Sequence, residues 1–252
     1  MFPFIGVLAE EEQNTTQIFP ANAINFDGST QYLELQGDPS RLNLGSSDFD
    51  LFFKLIKGSS PRQRVYSKSD ISGTSYAQIT IRSDINRIQF FAPSISVDIN
   101  IPPISQGWHS YRIFRAGNTV NFMLDDSPIV YSSNINFGFP STGQPLTIMH
   151  SNAVGDGDRY TDGSISLYGL IAGQTMSLEE WDYINMNTQP CWDSVATDNP
   201  TLFNKFEEVF DLCTYNGSTE VQALTGKVNG WVLDNVNNAP FNSTGLSVEC
   251  SS

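Results

Sequence analysis

Apolar and polar residues alternate along one short segment after another in the first two thirds of this chain. The clearest case is Ile95-Ser-Val-Asp-Ile-Asn-Ile101, which Pro102 and Pro103 bring to an end. Successive side chains of a β-strand point to opposite faces, so a period of two indicates strands with one buried face. Turn-forming residues separate these segments about every ten residues. A dozen or so short strands with no helix between them predict an all-β fold, specifically a two-sheet antiparallel jelly-roll sandwich.

Turn chemistry predicts how some strands connect. Ile24-Asn-Phe26 and Tyr32-Leu-Glu-Leu35 flank the turn Asp27-Gly-Ser29, and this pattern predicts a β-hairpin. The segment from Phe49 to Ile56 carries apolar residues on both of its faces. A strand with two apolar faces is expected near the middle of a sheet, where both faces are covered.

A helical period appears only after the last sandwich strand. Ser177 and Glu180 have the spacing of a capping box, which predicts that a helix begins there. A second helix is predicted over residues 199–210, with its apolar residues on one side. Together with three tryptophans, these residues predict a satellite core, although an inter-subunit surface is the alternative. The residues concerned are Trp181, Trp192, Leu202, Phe203, Phe206, Phe210 and Trp231.

The change of pattern along the chain predicts three regions. Residues 1–22 are interpreted as an N-terminal docking arm, residues 23–182 as the jelly roll, and residues 183–252 as a small mixed C-terminal appendage with one helix and short strands. The arm begins with apolar residues, which would be costly to leave in water, so we expect it to mediate assembly. The predicted assembly residues are Phe2, Phe4, Ile5, Val7 and Leu8.

The excess of acidic over basic residues disfavours some classes of binding partner. Twenty-seven acidic residues against thirteen basic ones give a net charge of -14, which disfavours binding to nucleic acid or to anionic lipid. No stretch approaches the roughly 18 apolar residues that would span a bilayer, so no membrane insertion is expected. The apolar start has no basic residue before it, so we expect no signal peptide and synthesis in a cytoplasm.

Cysteine and histidine are scarce. The three cysteines are Cys191, Cys213 and Cys250, and an odd number leaves at least one thiol unpaired within the chain. Cys191 with Cys213 is the one pairing to consider. His109 and His150 are the only histidines, and no C-x-x-C spacing occurs, so a structural zinc is not expected.

Several motifs occur in a familiar order between residues 23 and 182. They are Phe26-Asp-Gly-Ser-Thr-Gln-Tyr-Leu, Leu42-Asn-Leu-Gly, Val65-Tyr-Ser-Lys, Gly107-Trp-His109, Val120-Asn-Phe-Met-Leu-Asp-Asp126 and Asp162-Gly-Ser-Ile165 ahead of a short helix. In this succession the region resembles laminin-G-like, concanavalin-A-like jelly rolls. One departure is that Asp125-Asp126-Ser127 replaces the usual Val-Asp-Gly turn and still consists of turn-forming residues.

A jelly roll with an appended arm and tail also resembles structural proteins of tailed bacteriophage particles. This resemblance implies a non-enzymatic structural or assembly component of a phage particle, either a tail fibre, a tail tip or a capsid decoration. It further implies location in the virion, with other virion proteins and further copies of this chain as partners. The alternative is a carbohydrate-binding lectin that recognises a host-surface glycan.

The sequence lacks the usual constellations of catalytic residues. Glycanases with this fold resemble one another in a Glu-x-Asp-x-x-Glu strand that places two carboxylates at the sugar, and no such run occurs here. There is also no Gly-x-Ser-x-Gly motif, and His109 and His150 are interpreted as structural polar groups. We therefore expect no enzymatic activity and no certain cofactor.

One loop, residues 155–163, carries candidate ligand-binding residues. Asp156, Asp158 and Asp162 offer the oxygen ligands that calcium prefers, although Asp and Gly are also ordinary turn formers. Arg159 and Tyr160 are candidates for glycan binding, because planar cationic and aromatic groups contact sugar hydroxyls and faces. Packing or plain exposure are the alternatives for these two residues.

Overall fold

Sixteen strands and three short helices make up the part of the chain that the computed structural model describes, which is residues 22–70, 72, 74–152, 160–186, 192–211, 223–237 and 239–243. The strands are β1 (Asn22–Asp27), β2 (Tyr32–Leu35), β3 (Phe49–Lys57), β4 (Arg62–Ser69), β5 (Tyr76–Arg82), β6 (Arg87–Ala92), β7 (Ile95–Asn100), β8 (Trp108–Ala116), β9 (Thr119–Leu124), β10 (Tyr131–Asn134), β11 (Thr147–Ile148), β12 (Asp162–Ala172), β13 (Glu208–Asp211), β14 (Ala223–Thr225), β15 (Val232–Val236) and β16 (Phe241–Ser243). The helices are α1 (Leu178–Met186), α2 (Trp192–Asp198) and α3 (Pro200–Phe203). Within these ranges no helix is long and apolar enough to cross a membrane.

The strands form two antiparallel sheets of eight strands each. Sheet 1 has the order β10-β9-β8-β3-β12-β1-β16, and β13 also pairs with β12. Sheet 2 has the order β14-β15-β2-β11-β4-β5-β6-β7. The predicted all-β, two-sheet antiparallel sandwich is therefore confirmed.

The main core fills the space between the two sheets. Phe53 of β3 stacks on Tyr111 of β8, with ring centroids 5.0 Å apart, and on Tyr168 of β12 at 6.3 Å. Around these rings the inward residues of both sheets are buried in one continuous apolar cluster. Such burial is the main favourable term in folding, and it holds the two sheets face to face.

A second apolar cluster covers the outer face of sheet 1. Phe52 of β3 points away from the main core and joins Leu167 of β12, Trp181 of α1 and Phe206. The prediction that β3 has two apolar faces is confirmed. The satellite core is confirmed for Trp181, Leu202, Phe203 and Phe206, whereas Trp231 packs against the main core. Helix α1 begins at the predicted capping box, because Ser177 accepts a bond from the Glu180 amide at 3.1 Å and Glu180 accepts one from the Ser177 amide at 2.7 Å.

The predicted hairpin between β1 and β2 is wrong. Strand β1 pairs with β12 and β16 in sheet 1, whereas β2 pairs with β11 and β15 in sheet 2. The intervening turn carries the chain from one sheet to the other. The Asp27 carboxylate fixes this turn by accepting bonds from the backbone amides of Ser29 at 2.8 Å and Thr30 at 3.0 Å, while Gly28 supplies a φ of 71°.

The helix predicted over residues 199–210 is confirmed only at its start and is wrong beyond Phe203. Helix α3 ends at Phe203, and residues 208–211 form β13, which pairs with β12. The apolar residues of this segment serve two different clusters, since Phe206 lies in the satellite core and Phe210 in the main core. The spacing of these apolar residues resembles one face of a helix. It arises instead because some of them pack in the satellite core and others pack in the main core.

The C-terminal region contributes to both sheets. β13 and β16 extend sheet 1, and β14 and β15 extend sheet 2 beside β2. Helices α1 to α3 precede these four strands along the chain. The described part of residues 183–252 is thus hydrogen-bonded into the sandwich, and the division at 182 remains a prediction.

Candidate functional site

Strands β5, β6 and β7 present a grid of side chains on the face of sheet 2 opposite the main core. Inward residues of these strands, such as Ile79, Ile88 and Ile99, belong to the core. Residues directly opposite one another in paired strands share a face, so the registers define three outward rows. The rows are Gln78, Phe91 and Ser96; Thr80, Gln89 and Asp98; and Arg82, Arg87 and Asn100. We call these nine residues the β5–β7 polar face.

Hydrogen bonds link the polar groups of this face into a chain. Arg82 donates to both oxygens of Asp84, at 2.8 and 2.7 Å, and to Oε1 of Gln89 at 3.0 Å. Gln89 donates to Oδ1 of Asp98 at 3.0 Å, and Arg87 donates to Oδ2 of Asp98 at 2.8 Å. The hydrogen bond from Arg82 holds the pKa of Asp84 below its usual value. The polar groups are therefore oriented before any ligand arrives.

The face also offers an aromatic ring and accessible charge. Phe91 is half-buried and lies on the same strand and face as Gln89 and Arg87. The Arg87 side chain is 44% exposed, and Asp98 is 27% exposed. Among the described strands, β7 is the last one in the pairing order of sheet 2, and β10 of sheet 1 lies beside it. Gln89 is buried, so the accessible groups are the guanidinium of Arg87, the carboxylate of Asp98 and the ring of Phe91. These groups can hydrogen-bond hydroxyls and contact an apolar ring face.

Sequence reasoning missed this face. The signal was present, because Gln78, Thr80 and Arg82 alternate with apolar residues in β5, as Arg87 and Gln89 do in β6. Alternation alone marks these residues only as facing away from the core. The strand registers were needed to place the three strands' polar residues side by side.

Tyr160, predicted to bind glycan, lies in an aromatic stack. Its ring packs on His150 at 4.5 Å between centroids, and His150 packs on Tyr32 at 4.3 Å. His150 is buried, while Tyr32 and Tyr160 are half-buried. The packing alternative is thus realised for part of the Tyr160 ring, and its contact with a glycan remains a prediction.

Asp162, predicted as a calcium ligand, holds the turn between β3 and β4. Its Oδ2 accepts bonds from the amide and hydroxyl of Ser59, each at 2.7 Å, and its Oδ1 accepts one from the Ser60 amide at 2.7 Å. Burial acts to raise the pKa of Asp162, but these hydrogen bonds outweigh it and lower the pKa to about 2. A Cβ at Gly58 would overlap this carboxylate, so the turn needs glycine there.

The other predicted ligands lie outside the described residues, so the calcium and arginine predictions remain predictions. These residues are Asp156, Asp158 and Arg159. The five predicted assembly residues of the arm and the cysteines, Cys191 and Cys213 included, also lie outside. Among the residues that are described, no group of three or more His, Cys, Asp or Glu side chains could hold a metal ion.

His109 connects two polar neighbours at the rim of sheet 1. Its Nε2 lies 2.9 Å from Oγ of Ser105, and its Nδ1 lies 2.7 Å from Oδ2 of Asp125. This is the hydrogen-bond order of a serine hydrolase triad. However, Asp125 also accepts the Ser110 amide at 2.8 Å, and its own backbone carbonyl accepts the indole of Trp181 at 3.3 Å. We therefore interpret the pair as a clamp that ties β8 to the turn after β9 and to α1.

Comparisons with known proteins reveal similarity in structure only. The sequence matches no protein-family model and no curated protein. A proposed carbohydrate-binding protein from Bacteroides ovatus superposes with a TM-score of 0.60 at 11% identity, over 91% of this chain and 62% of its own length. A heptameric pentraxin from Limulus polyphemus superposes with a TM-score of 0.51 at 10% identity, over 87% of this chain and 97% of its own. The chain thus spans less than two thirds of the length of the Bacteroides protein. The two superpositions show that it has a concanavalin-A-like jelly-roll fold.

Proposed function

We propose that this chain is a carbohydrate-binding module and that its glycan lies on the β5–β7 polar face. The observation that carries the proposal is the chain of hydrogen bonds from Asp84 through Arg82, Gln89 and Asp98 to Arg87. It fixes donors and acceptors in place before binding, which lowers the entropy lost when a flexible polar ligand is held.

The chemistry of the face suits a sugar. Asp98 can accept bonds from sugar hydroxyls and Arg87 can donate them, while Phe91 on β6 lies one row from Asp98 and can pack against a sugar ring. Neighbouring rows lie about 7 Å apart along a strand, and residues within one row lie about 5 Å apart from one strand to the next. A ligand several ångströms across can therefore contact all three kinds of group at once.

The structural comparison is consistent with this proposal. The Bacteroides ovatus protein with the same fold is itself a proposed carbohydrate-binding protein. At 11% identity the likeness establishes the fold alone, so the argument for the ligand rests on the side chains of the polar face.

A glycan array probed with the full chain tests the proposal. Asp98→Asn and Phe91→Ala should each weaken the strongest glycan by about tenfold, the effect of one lost hydrogen bond or ring contact. Asp182→Asn is the matched control, because Asp182 is an exposed carboxylate on α1, beyond sheet 1. Its affinity should match the unmodified chain. Absence of any bound glycan, or binding that Asp98→Asn and Phe91→Ala leave unchanged, would exclude this face as the site.

The role in a phage particle remains a second proposal that rests on the sequence resemblance. It concerns the virion location, the partner proteins and self-association through the arm. Glycan binding does not compete with it, because a particle protein can carry a lectin-like module. Co-sedimentation of the full chain with purified particles would test the particle role separately.

A further inference from the structure

Three arginines lie directly opposite one another on the polar face of sheet 2. Arg62 of β4 faces Arg82 of β5, and Arg82 faces Arg87 of β6. We call these three residues the arginine row. Directly opposite residues in antiparallel strands have Cβ atoms about 5 Å apart, and like charges at that distance destabilise the sheet.

This cluster is unexpected in so acidic a chain. Only thirteen residues are basic against twenty-seven acidic ones, and eight of the thirteen are arginines. Arg64 pairs with Thr80 and so lies on the same face, but it is buried, so the accessible cluster consists of the three arginines of the row.

Neighbouring carboxylates orient the row. Asp84 accepts two hydrogen bonds from the guanidinium group of Arg82. The positive charge of Arg62 also acts to lower the pKa of Asp84, so both arginines act on this carboxylate. Arg87 donates one N–H to Asp98, and the Arg87 side chain is 44% exposed. A guanidinium group carries five N–H donors, so Arg87 keeps donors that face solvent.

We propose that the arginine row makes the glycan site selective for sugars that carry a carboxylate or a sulfate. This inference rests on the proposed glycan-binding function and names the ligand class. The planar fork of an arginine matches two oxygens of such an anion, and charge-assisted bonds are about twice as strong as neutral ones. The anion binds the exposed guanidinium of Arg87, while Asp98 accepts bonds from the hydroxyls of the same sugar.

Matched pairs of oligosaccharides test the inference on the full chain by calorimetry. One pair is a galacturonan oligosaccharide and its neutral methyl ester, and the other is a sulfated galactan oligosaccharide and its desulfated form. The charged member of at least one pair should bind about tenfold tighter. This preference should shrink as sodium chloride rises from about 0.05 to 0.5 M, because salt screens exposed charges. The two pairs distinguish carboxylate from sulfate.

Arginine variants assign the preference to the row. Arg87→Gln should reduce the ratio of charged to neutral affinity to near one, and Arg87→Lys should restore it only in part, because lysine keeps the charge without the planar fork. Lys57→Gln is the matched control, since it removes one positive charge from the end of β3 in sheet 1. It should leave the ratio unchanged. Thermal midpoints equal to that of the unmodified chain confirm that each variant is folded.

The outcomes separate the two proposals. If charged and neutral sugars bind equally, or if Arg87→Gln leaves the ratio unchanged, the inference is wrong and the proposed function stands. If the full chain binds no sugar of either kind, on the array or in calorimetry, the proposed function fails and the inference fails with it.

Discussion

Replacing Arg112 with methionine should destabilise the fold more than any change on the polar face, because it would leave a buried carboxylate without its partner. Arg112 Nη2 lies 2.7 Å from Oδ2 of Asp50, and the two side chains are 2% and 0% exposed. Asp50 also accepts the Met176 amide at 2.9 Å, and Arg112 donates to the Met176 carbonyl. The pair thus fastens the start of the α1 region to the outer face of sheet 1.

The size of the effect follows from burial. Burial raises the pKa of Asp50, and the guanidinium of Arg112 opposes that shift. Removing one partner of a buried ion pair typically costs about 3–5 kcal/mol. A double change, Asp50→Leu with Arg112→Met, removes both charges and should cost only about 1–3 kcal/mol, mainly for the unpaired backbone groups of Met176. Arg87→Met, which breaks an exposed pair, should cost at most about 1 kcal/mol.

Urea unfolding followed by tryptophan fluorescence measures the unmodified chain, Arg112→Met, Asp50→Leu and the double variant, which together form a double-mutant cycle. A loss below about 1 kcal/mol in Arg112→Met would refute the claim that this pair is a buried structural contact. A double variant that loses as much as the two single variants together would show that the residues do not interact. Fluorescence suits the test because Trp181 lies against the guanidinium of Arg112, at 5.9 Å.

Three further predictions concern the rim of the sandwich. Because the pKa of Asp162 is lowered from 3.8 to about 2, its hydrogen bonds to Ser59 and Ser60 stabilise the fold above pH 3.8 by at most about 2 kcal/mol. This contribution should vanish as the pH falls through 2, so the thermal midpoints of the unmodified chain and Asp162→Asn should converge there and separate at pH 6. If calcium binds the loop of residues 155–163, millimolar calcium should raise the thermal midpoint above that in chelator, whereas equal midpoints would exclude the site. If His109 is a structural clamp, a fluorophosphonate probe should leave Ser105 unlabelled, and an adduct on Ser105 in the mass spectrum would contradict that interpretation.

The fold class was predictable because its signals are local. Alternation in β7, the two apolar faces of β3 and the capping box at Ser177 each depend on residues close together in the chain. Pairing was less predictable, since it depends on partners far apart. The β1–β2 hairpin failed for this reason, because Asp27 caps a turn that passes between sheets rather than one that reverses within a sheet.

The candidate site was harder to predict than the fold. The aspartates and glycines of residues 155–163 form a local pattern typical of a cation-binding loop, and the sequence therefore favours that loop. The polar face shows no motif, since its residues come from three strands that are separated along the chain by turns. Arg62, Arg82 and Arg87 become neighbours only through the register of β4 to β6.

The pairing of β1 with β16 governs how this module can be tethered. Asn22 lies opposite Ser243, so the two ends of the described chain leave the sandwich side by side at one lateral edge of sheet 1. Strand β7 lies beside β10 at the other lateral edge. An anchor attached at either end would therefore join the sandwich at the lateral edge opposite to β7. A short linker from Ser243 to Asn22 would also permit a circular permutant opened at Gly117, whose β8–β9 turn lies far from that junction in the strand order.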